Sequence, residues 1–219
     1  MSSTPSGIGD RSGLKLLLVV ITVTAAVFFW NSSRLQHENK QQDTWVDERG
    51  KLHVLGITLG ESSLRDAERA LQSRSEVALY LYPVEHPKAG MKLEAYFPSI
   101  ADHTKVILLL DAAPETLKQM EKRASRPELF PSRVARLGMA PEDAHLASEM
   151  VVRELTLIPS VKITQESLNA RFGTPGQILH PAPETTLYRF PAIGLEATLS
   201  PDEPAHLHFT NPTPVLHKR

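Results

Sequence analysis

The chain has 219 residues, of which 41% are hydrophobic and 22% are charged, proportions typical of a globular protein. Its formal net charge of −1 argues against a nucleic-acid partner, because proteins that bind nucleic acids usually carry a basic excess. The sequence contains no cysteine, which excludes disulfides, thiolate metal sites and cysteine nucleophiles.

A long uncharged apolar run stands near the N-terminus. It predicts a tail over residues 1–12, a transmembrane helix over 13–31 and a juxtamembrane stalk over 32–44. At about 1.5 Å per residue the run is long enough to cross most of a hydrocarbon core about 30 Å thick. The predicted anchor residues are Lys15, Leu16, Phe28, Phe29 and Trp30. A cleavable signal peptide and a buried core helix are the alternatives.

Positive charges flank this run equally on both sides. Arg11 and Lys15 precede it, and Arg34 and Lys40 follow it, so the positive-inside rule leaves the orientation undecided. Most of the chain lies after the run. This favours a single-pass protein of the bacterial inner membrane whose C-terminal domain is periplasmic.

Residues 45–113 predict a first α/β unit. Ser63 is placed to cap a helix whose residues Leu64, Ala67 and Leu71 share one face. Three predicted strands follow, with the sequences VALYLYPV, KLEAYFPS and KVILLLDA. The second of them alternates apolar and polar residues with the period of a half-buried strand. The unit is therefore a helix followed by a three-stranded meander.

Residues 114–158 predict a helical linker, since Pro114 and Pro141 can each open a helix. Residues 159–212 predict a second α/β unit, in which Thr164 caps a helix and Gly173 ends it. Three strands follow, with the sequences TLYRFP, IGLEATLS and AHLHFTN. Residues 213–219 are predicted to form a C-terminal tail.

The two units match in the order of their elements. Ser63 corresponds to Thr164 and Leu71 to Phe172, both at an offset of 101 positions. The pattern predicts an internal repeat, although two amphipathic helices followed by meanders could also resemble each other by chance. The predicted fold class is α+β, with one N-terminal transmembrane helix and two α-βββ units joined by a helical linker.

The stretch ITQESLNARFGTP, from Ile163 to Pro175, resembles the small domain of the BamE/SmpA family of outer-membrane lipoproteins. The shared features are a capping Thr, a Glu two residues later, an apolar pair on the helix and a Gly-x-Pro stop. A tandem of such units would be similar in architecture to the β-lactamase inhibitor protein. The family carries a lipidated cysteine, which this chain lacks. The resemblance implies an envelope-facing, protein-binding module.

No sequence motif for catalysis or cofactor binding is present. Phosphate-cradling glycine loops, Gly-x-Ser-x-Gly and His-Glu-x-x-His are all absent, so neither a catalytic residue nor a cofactor is predicted. His206 and His208 would point to the same side of a strand, and Glu196 lies on the polar side of the preceding strand. Two His and one carboxylate can hold zinc, but a solvated sheet face has the same pattern.

Two further surfaces are candidates for binding. The predicted linker carries a basic surface that could contact anionic headgroups or an acidic partner, or could be an ordinary solvated helix face. Its residues are Lys118, Lys122, Arg123, Arg126, Arg133 and Arg136. The second surface is the polar side of each meander, where Tyr80, Tyr82, Tyr96 and Tyr188 could form a binding patch or pack in the core.

These patterns predict a membrane-anchored envelope protein that acts as a non-enzymatic interaction or scaffold module. Its expected partners are the lipid bilayer, through the N-terminal helix, and another envelope protein. One alternative is a membrane-anchored, metal-dependent hydrolase that uses His206 and His208. The other alternative is a sensor that binds a small ligand between the two sheets.

Overall fold

The computed structural model of the protein describes residues 44–213, which lie within one compact unit, Asp43–Arg219. The strands are β1 (Thr44–Val46), β2 (Leu52–Val54), β3 (Ile57–Thr58), β4 (Glu76–Tyr82), β5 (Gly90–Phe97), β6 (Lys105–Leu110), β7 (Glu128–Leu129), β8 (Ala135–Gly138), β9 (Val152–Ile158), β10 (Gln177–Ala182), β11 (Thr185–Phe190), β12 (Leu195–Leu199) and β13 (His206–Phe209). The helices are α1 (Leu64–Ala70), α2 (Pro114–Arg123), α3 (Pro141–Ser148) and α4 (Gln165–Phe172).

A ten-stranded antiparallel sheet dominates the fold, in the order β10-β11-β12-β13-β9-β6-β5-β4-β8-β7. The meanders β4-β5-β6 and β11-β12-β13 form its two halves. Strand β9 lies between them and pairs with both neighbours, since Leu155 is opposite Leu108 on β6 and Phe209 on β13. Strands β1, β2 and β3 form a separate three-stranded sheet.

The predicted fold class of two α-βββ units joined by a helical linker is therefore wrong. Both meanders belong to one sheet, and the segment 114–158 contributes β7, β8 and β9 to that sheet in addition to α2 and α3. The physical reason is that β9 is stabilised by partners distant in sequence. Its apolar residues follow a helical segment directly, and local periodicity assigned them to the linker.

Side-chain alternation gives the ten-stranded sheet two different faces. On one face, strand residues such as Leu93, Leu108, Leu155 and Phe209 are buried in a single hydrophobic core. The four helices contribute Leu64, Ala67, Met120, Ala147 and Leu168 to the same core. The described helices thus cover this face. We call the opposite side the open face.

Local capping holds the helices where the sequence predicted them. Ser63 forms a reciprocal capping box with Asp66 at the start of α1, and Thr164 forms one with Ser167 at the start of α4. Gly173 follows α4 with a φ of 82°, a left-handed conformation that glycine adopts without strain. These three predictions are confirmed.

The side-chain amide of Asn211 links the three-stranded sheet to the end of the large sheet. The Asn211 side chain donates to the Leu59 carbonyl at 2.9 Å and accepts from the Leu52 amide at 2.8 Å. The side chains of Leu52 and Leu59, whose backbone groups make these two hydrogen bonds, are fully buried. The N-terminal strands therefore help to close the same core as the helices.

Membrane anchoring was predicted for residues 13–31, with Lys15, Leu16, Phe28, Phe29 and Trp30 as anchor residues, and this segment lies outside the described residues. Among residues 44–213, no helix is long and apolar enough to cross a membrane. The longest described helix, α2, has 10 residues, whereas a span needs about 20. The prediction of a single-pass inner-membrane protein is corrected on this finding.

Replacing Leu155 tests the central position of β9. Because Leu155 is fully buried, we expect Leu155→Ala to lower the free energy of unfolding by about 2–5 kcal/mol. Val84→Ala is the matched control, since Val84 is 90% exposed and its replacement should change stability by less than about 0.5 kcal/mol. Urea unfolding followed by circular dichroism and Trp fluorescence should give one transition. Two separate transitions would show that the meanders fold as independent units.

Candidate functional site

The open face carries most of the polar and aromatic side chains of the central strands. They alternate with the buried core residues along each strand. The set comprises Glu76, Tyr80, Tyr82, Lys92, Glu94, Tyr96, Lys105, Ile107, Leu109, Arg136, Glu154, Thr156, Arg189, Glu196, Thr198, His206 and His208. The face therefore offers hydrogen-bonding groups, charges and rings on one continuous surface.

A cleft of about 540 Å³ opens on this face where the two meanders meet at β9. We call it the junction cleft. Its lining includes Lys88, Lys92, Glu94, Leu109, Glu154, Glu196, Thr198, His206 and His208. These residues come from β5, β6, β9, β12, β13 and the loop between β4 and β5. The predicted pocket between two sheets is therefore replaced by a cleft on a single sheet.

Glu94 is the most buried charged residue of the junction cleft, with 4% of its surface exposed. The Tyr82 hydroxyl donates to its carboxylate at 3.0 Å and 3.1 Å, and the Lys88 ammonium lies 3.6 Å from Oε1. Burial, and then the Glu94 charge, raise the pKa of Tyr82 far above its usual value. Tyr82 is thus a permanent hydrogen-bond donor to Glu94.

The same cluster fixes the loop between β4 and β5 above the sheet. The His86 ring lies 4.7 Å from the Tyr82 ring, and the Lys88 ammonium lies 5.8 Å from the centre of that ring. A cation over an aromatic face is attracted by the ring quadrupole. These contacts hold Lys88 at the wall of the cleft.

His208 is engaged through both ring nitrogens at the centre of the face. Nδ1 lies 3.0 Å from the Thr156 hydroxyl, and Nε2 lies 3.4 Å from the Glu154 carboxylate. Burial lowers the pKa of His208 below 6.5, against the opposing effect of the Glu154 charge. The imidazole is therefore held mostly neutral at pH 7 and acts as a hydrogen-bonding link between β9 and β13.

The three candidate zinc ligands lie on one face without forming a metal site. Glu196 pairs with Arg189 at 2.7 Å, and His208 is engaged by Thr156 and Glu154. His206 lines the cleft and is exposed. Within residues 44–213, no group of three or more His, Cys, Asp or Glu side chains is placed to hold a metal ion.

The predicted tyrosine patch is only partly present. Tyr80, Tyr82 and Tyr96 lie on the open face and are partly exposed. Tyr188 lies on the opposite side of β11, is 6% exposed, and packs in the core. Its alternation with Arg189 along β11 accounts for the difference.

The predicted basic linker surface is divided among several ion pairs. Arg123 makes a hydrogen-bonded ion pair with Asp143, with Nε 3.0 Å from Oδ2, and this joins α2 to α3. Arg136 lies 3.5 Å from Glu76 and 3.7 Å from Glu128, and Arg133 lies 3.9 Å from Glu85. Of the predicted set, Lys118, Lys122 and Arg126 have no ion pair within the described chain. Three of the six predicted basic side chains therefore form ion pairs with carboxylates of the described chain.

Sequence reasoning missed Lys88, Lys92, Glu94 and Glu154. No motif marks them, because they come together only when β9 joins the two meanders. Alternation along KLEAYF did place Lys92 and Glu94 on the polar side of a strand. A signal for Glu154 would have required the assignment of β9 as a strand.

Comparisons with known proteins leave the family open. No protein-family model matches the chain, and no curated protein matches it. Among solved structures, the chain is similar to a DUF4309 family protein, YjgB, from Bacillus subtilis subsp. subtilis strain 168, with 12% sequence identity and a TM-score of 0.39. The similarity covers 80% of this chain and 92% of that one. A TM-score this low does not establish a shared fold or function.

Removing the Tyr82 hydroxyl tests the buried carboxylate. Tyr82→Phe leaves Glu94 buried without its hydrogen-bond donor, and we expect a loss of about 1–3 kcal/mol of unfolding free energy. Tyr96→Phe is the matched control on the next strand, because the Tyr96 hydroxyl makes no hydrogen bond within residues 44–213. Urea denaturation compares the two variants, and equal losses would contradict the role of the Tyr82–Glu94 contact.

His208 should make stability depend on pH. Because its pKa is lower in the folded protein than in the unfolded chain, its contribution is complete above about pH 6.5 and is lost as the pH falls through the folded pKa. The free energy of unfolding should decrease from about pH 7.5 to pH 5, and His208→Gln should make this decrease smaller. The exposed His180 provides a control, and an identical effect of His180→Gln would refute the assignment.

Proposed function

We propose that the described domain is a non-enzymatic interaction module that binds a partner protein across the open face. The observation that carries this proposal is the difference between the two faces of the ten-stranded sheet. One face is covered by four helices over a single core. The other presents partly exposed aromatic and charged side chains around the junction cleft.

The composition of the open face suits a protein partner. Tyr80, Tyr82 and Tyr96 are of the residue type that is enriched where proteins bind one another. Ile107 and Leu109 supply partly exposed apolar surface on the adjacent strand. The resemblance of residues 163–175 to BamE/SmpA domains implies a protein-binding role as well.

Rigid support is the second argument for this surface. The binding side chains are held by strands whose other side is fully packed, so little ordering is needed when a partner docks. The contact of Lys88 with Glu94 and Tyr82 also orders the loop at the edge of the cleft. A preorganised surface loses less conformational entropy on binding than a mobile one.

Site-specific photo-crosslinking in the native cell tests the proposal. We expect p-benzoylphenylalanine in place of Tyr96 to yield a discrete protein adduct, because Tyr96 is partly exposed on the open face, opposite Ile107 on β6. The matched control carries the same group in place of Leu146, which is 47% exposed on helix α3. An adduct from the Leu146 position alone, or none from the Tyr96 position, would contradict the proposal.

A further inference from the structure

The charges of the open face are not evenly compensated. Each carboxylate on the open face lies within 3.9 Å of a cationic side chain. The four pairs are Glu76 with Arg136 at 3.5 Å, Glu94 with Lys88 at 3.6 Å, Glu154 with Arg153 at 3.9 Å, and Glu196 with Arg189 at 2.7 Å. Two lysines of the same strands, Lys92 and Lys105, have no ion pair within residues 44–213. Arg136 is shared with Glu128 and Arg153 with Asp111, so among the described residues Lys92 and Lys105 are the strand cations that remain free to pair with an acidic ligand.

The spacing of these two lysines follows from the sheet register. Glu94 is opposite Leu109, and Phe97 is opposite Val106. Continuing this register places Lys105 level with Pro98, six positions beyond Lys92 along β5. At ~3.3 Å per residue, the backbone positions of the two lysines are roughly 20 Å apart along the strand direction.

An apolar strip separates the two lysines. Tyr96 on β5 and Ile107 and Leu109 on β6 occupy the open face between them, and all three are partly exposed. Glu94 lies in the same stretch but is buried beneath Lys88 and Tyr82. A ligand lying along β5 and β6 therefore meets a cation, an apolar surface and a second cation in turn.

We propose, resting on the proposed function, that the open face binds an extended acidic segment of the partner protein. The segment has the pattern acid-x-apolar-x-apolar-x-acid. In an extended chain, alternate residues point to one side, so these four side chains face the sheet together. The two acidic residues, six positions apart, span the ~20 Å between Lys92 and Lys105.

The two ends of this site are not equivalent. Lys105 shares a groove with Lys162 and with two carboxylates, Asp202 and Glu203, on the turn between β12 and β13 that have no ion pair within residues 44–213. Near Lys92, the carboxylates of the junction cleft already have cationic partners. The acidic residue beside Lys92 therefore contributes more to affinity than the one beside Lys105.

The test uses a fluorescent nonapeptide, Thr-Glu-Thr-Val-Thr-Val-Thr-Glu-Thr, titrated with the full chain at low salt and followed by fluorescence anisotropy. We expect Lys92→Glu to weaken binding by at least about tenfold, and Lys105→Glu by a smaller factor. Lys118→Glu is the matched control, because it changes the net charge equally from the covered side of the sheet. It should alter the affinity by less than about twofold. Lys92→Gln removes the charge alone and should show an intermediate loss.

Several results would overturn the inference. The first is that the peptide does not bind. The second is that a peptide with lysine in place of both glutamates binds as tightly as the original peptide. The third is that Lys92→Glu and Lys118→Glu change the affinity for the peptide equally. Binding of oligogalacturonate in the absence of peptide binding would identify an acidic glycan site and would also overturn it. A crosslinked partner at the Tyr96 position that persists in Lys92→Glu would reject the acidic segment and leave the proposed function standing.

Discussion

The pairing of β9 with β6 on one side and β13 on the other is the constraint on which the structure depends. Without β9, each meander would end in a strand whose backbone amides and carbonyls lack partners, which is costly when the strand is buried. With β9 in place, Leu155 and Leu157 complete the core beneath both halves. Its other side places Glu154 and Thr156 at the centre of the open face.

One-sided coverage of the sheet follows from this arrangement. The four helices and the N-terminal strands seal the core, with α2 and α3 joined by Arg123 and Asp143 and the N-terminal strands fixed by Asn211. The open face is stabilised instead by contacts among its own polar side chains. The Tyr82–Glu94–Lys88 and Thr156–His208–Glu154 groups each link a charged residue to a hydroxyl donor or acceptor. Lys92 and Lys105 have no ion pair in the described part of the chain and are the cations of the open face that a ligand can pair with.

Local physics made part of this fold predictable. The capping residues Ser63 and Thr164 and the alternation in KLEAYF, LEATL and HLHF identified two helices and most meander strands, because those signals lie within a few residues of one another. The position of β9 was not predictable in this way, since its partners Leu108 and Phe209 lie 47 and 54 positions from Leu155. The candidate site depends on that pairing, and so His206 and His208 were recognised while Lys88 and Glu154 were missed.

Nuclear Overhauser contacts across β9 test the central claim most directly. Backbone proton contacts should connect Leu155 and Leu157 both to β6, at Leu108 and Val106, and to β13, at Phe209 and Leu207. Observing both sets would establish one continuous sheet with the junction cleft at its centre. Contacts from β9 to only one neighbour would show that the meanders form separate sheets, and would remove the basis for the open face as a single binding surface.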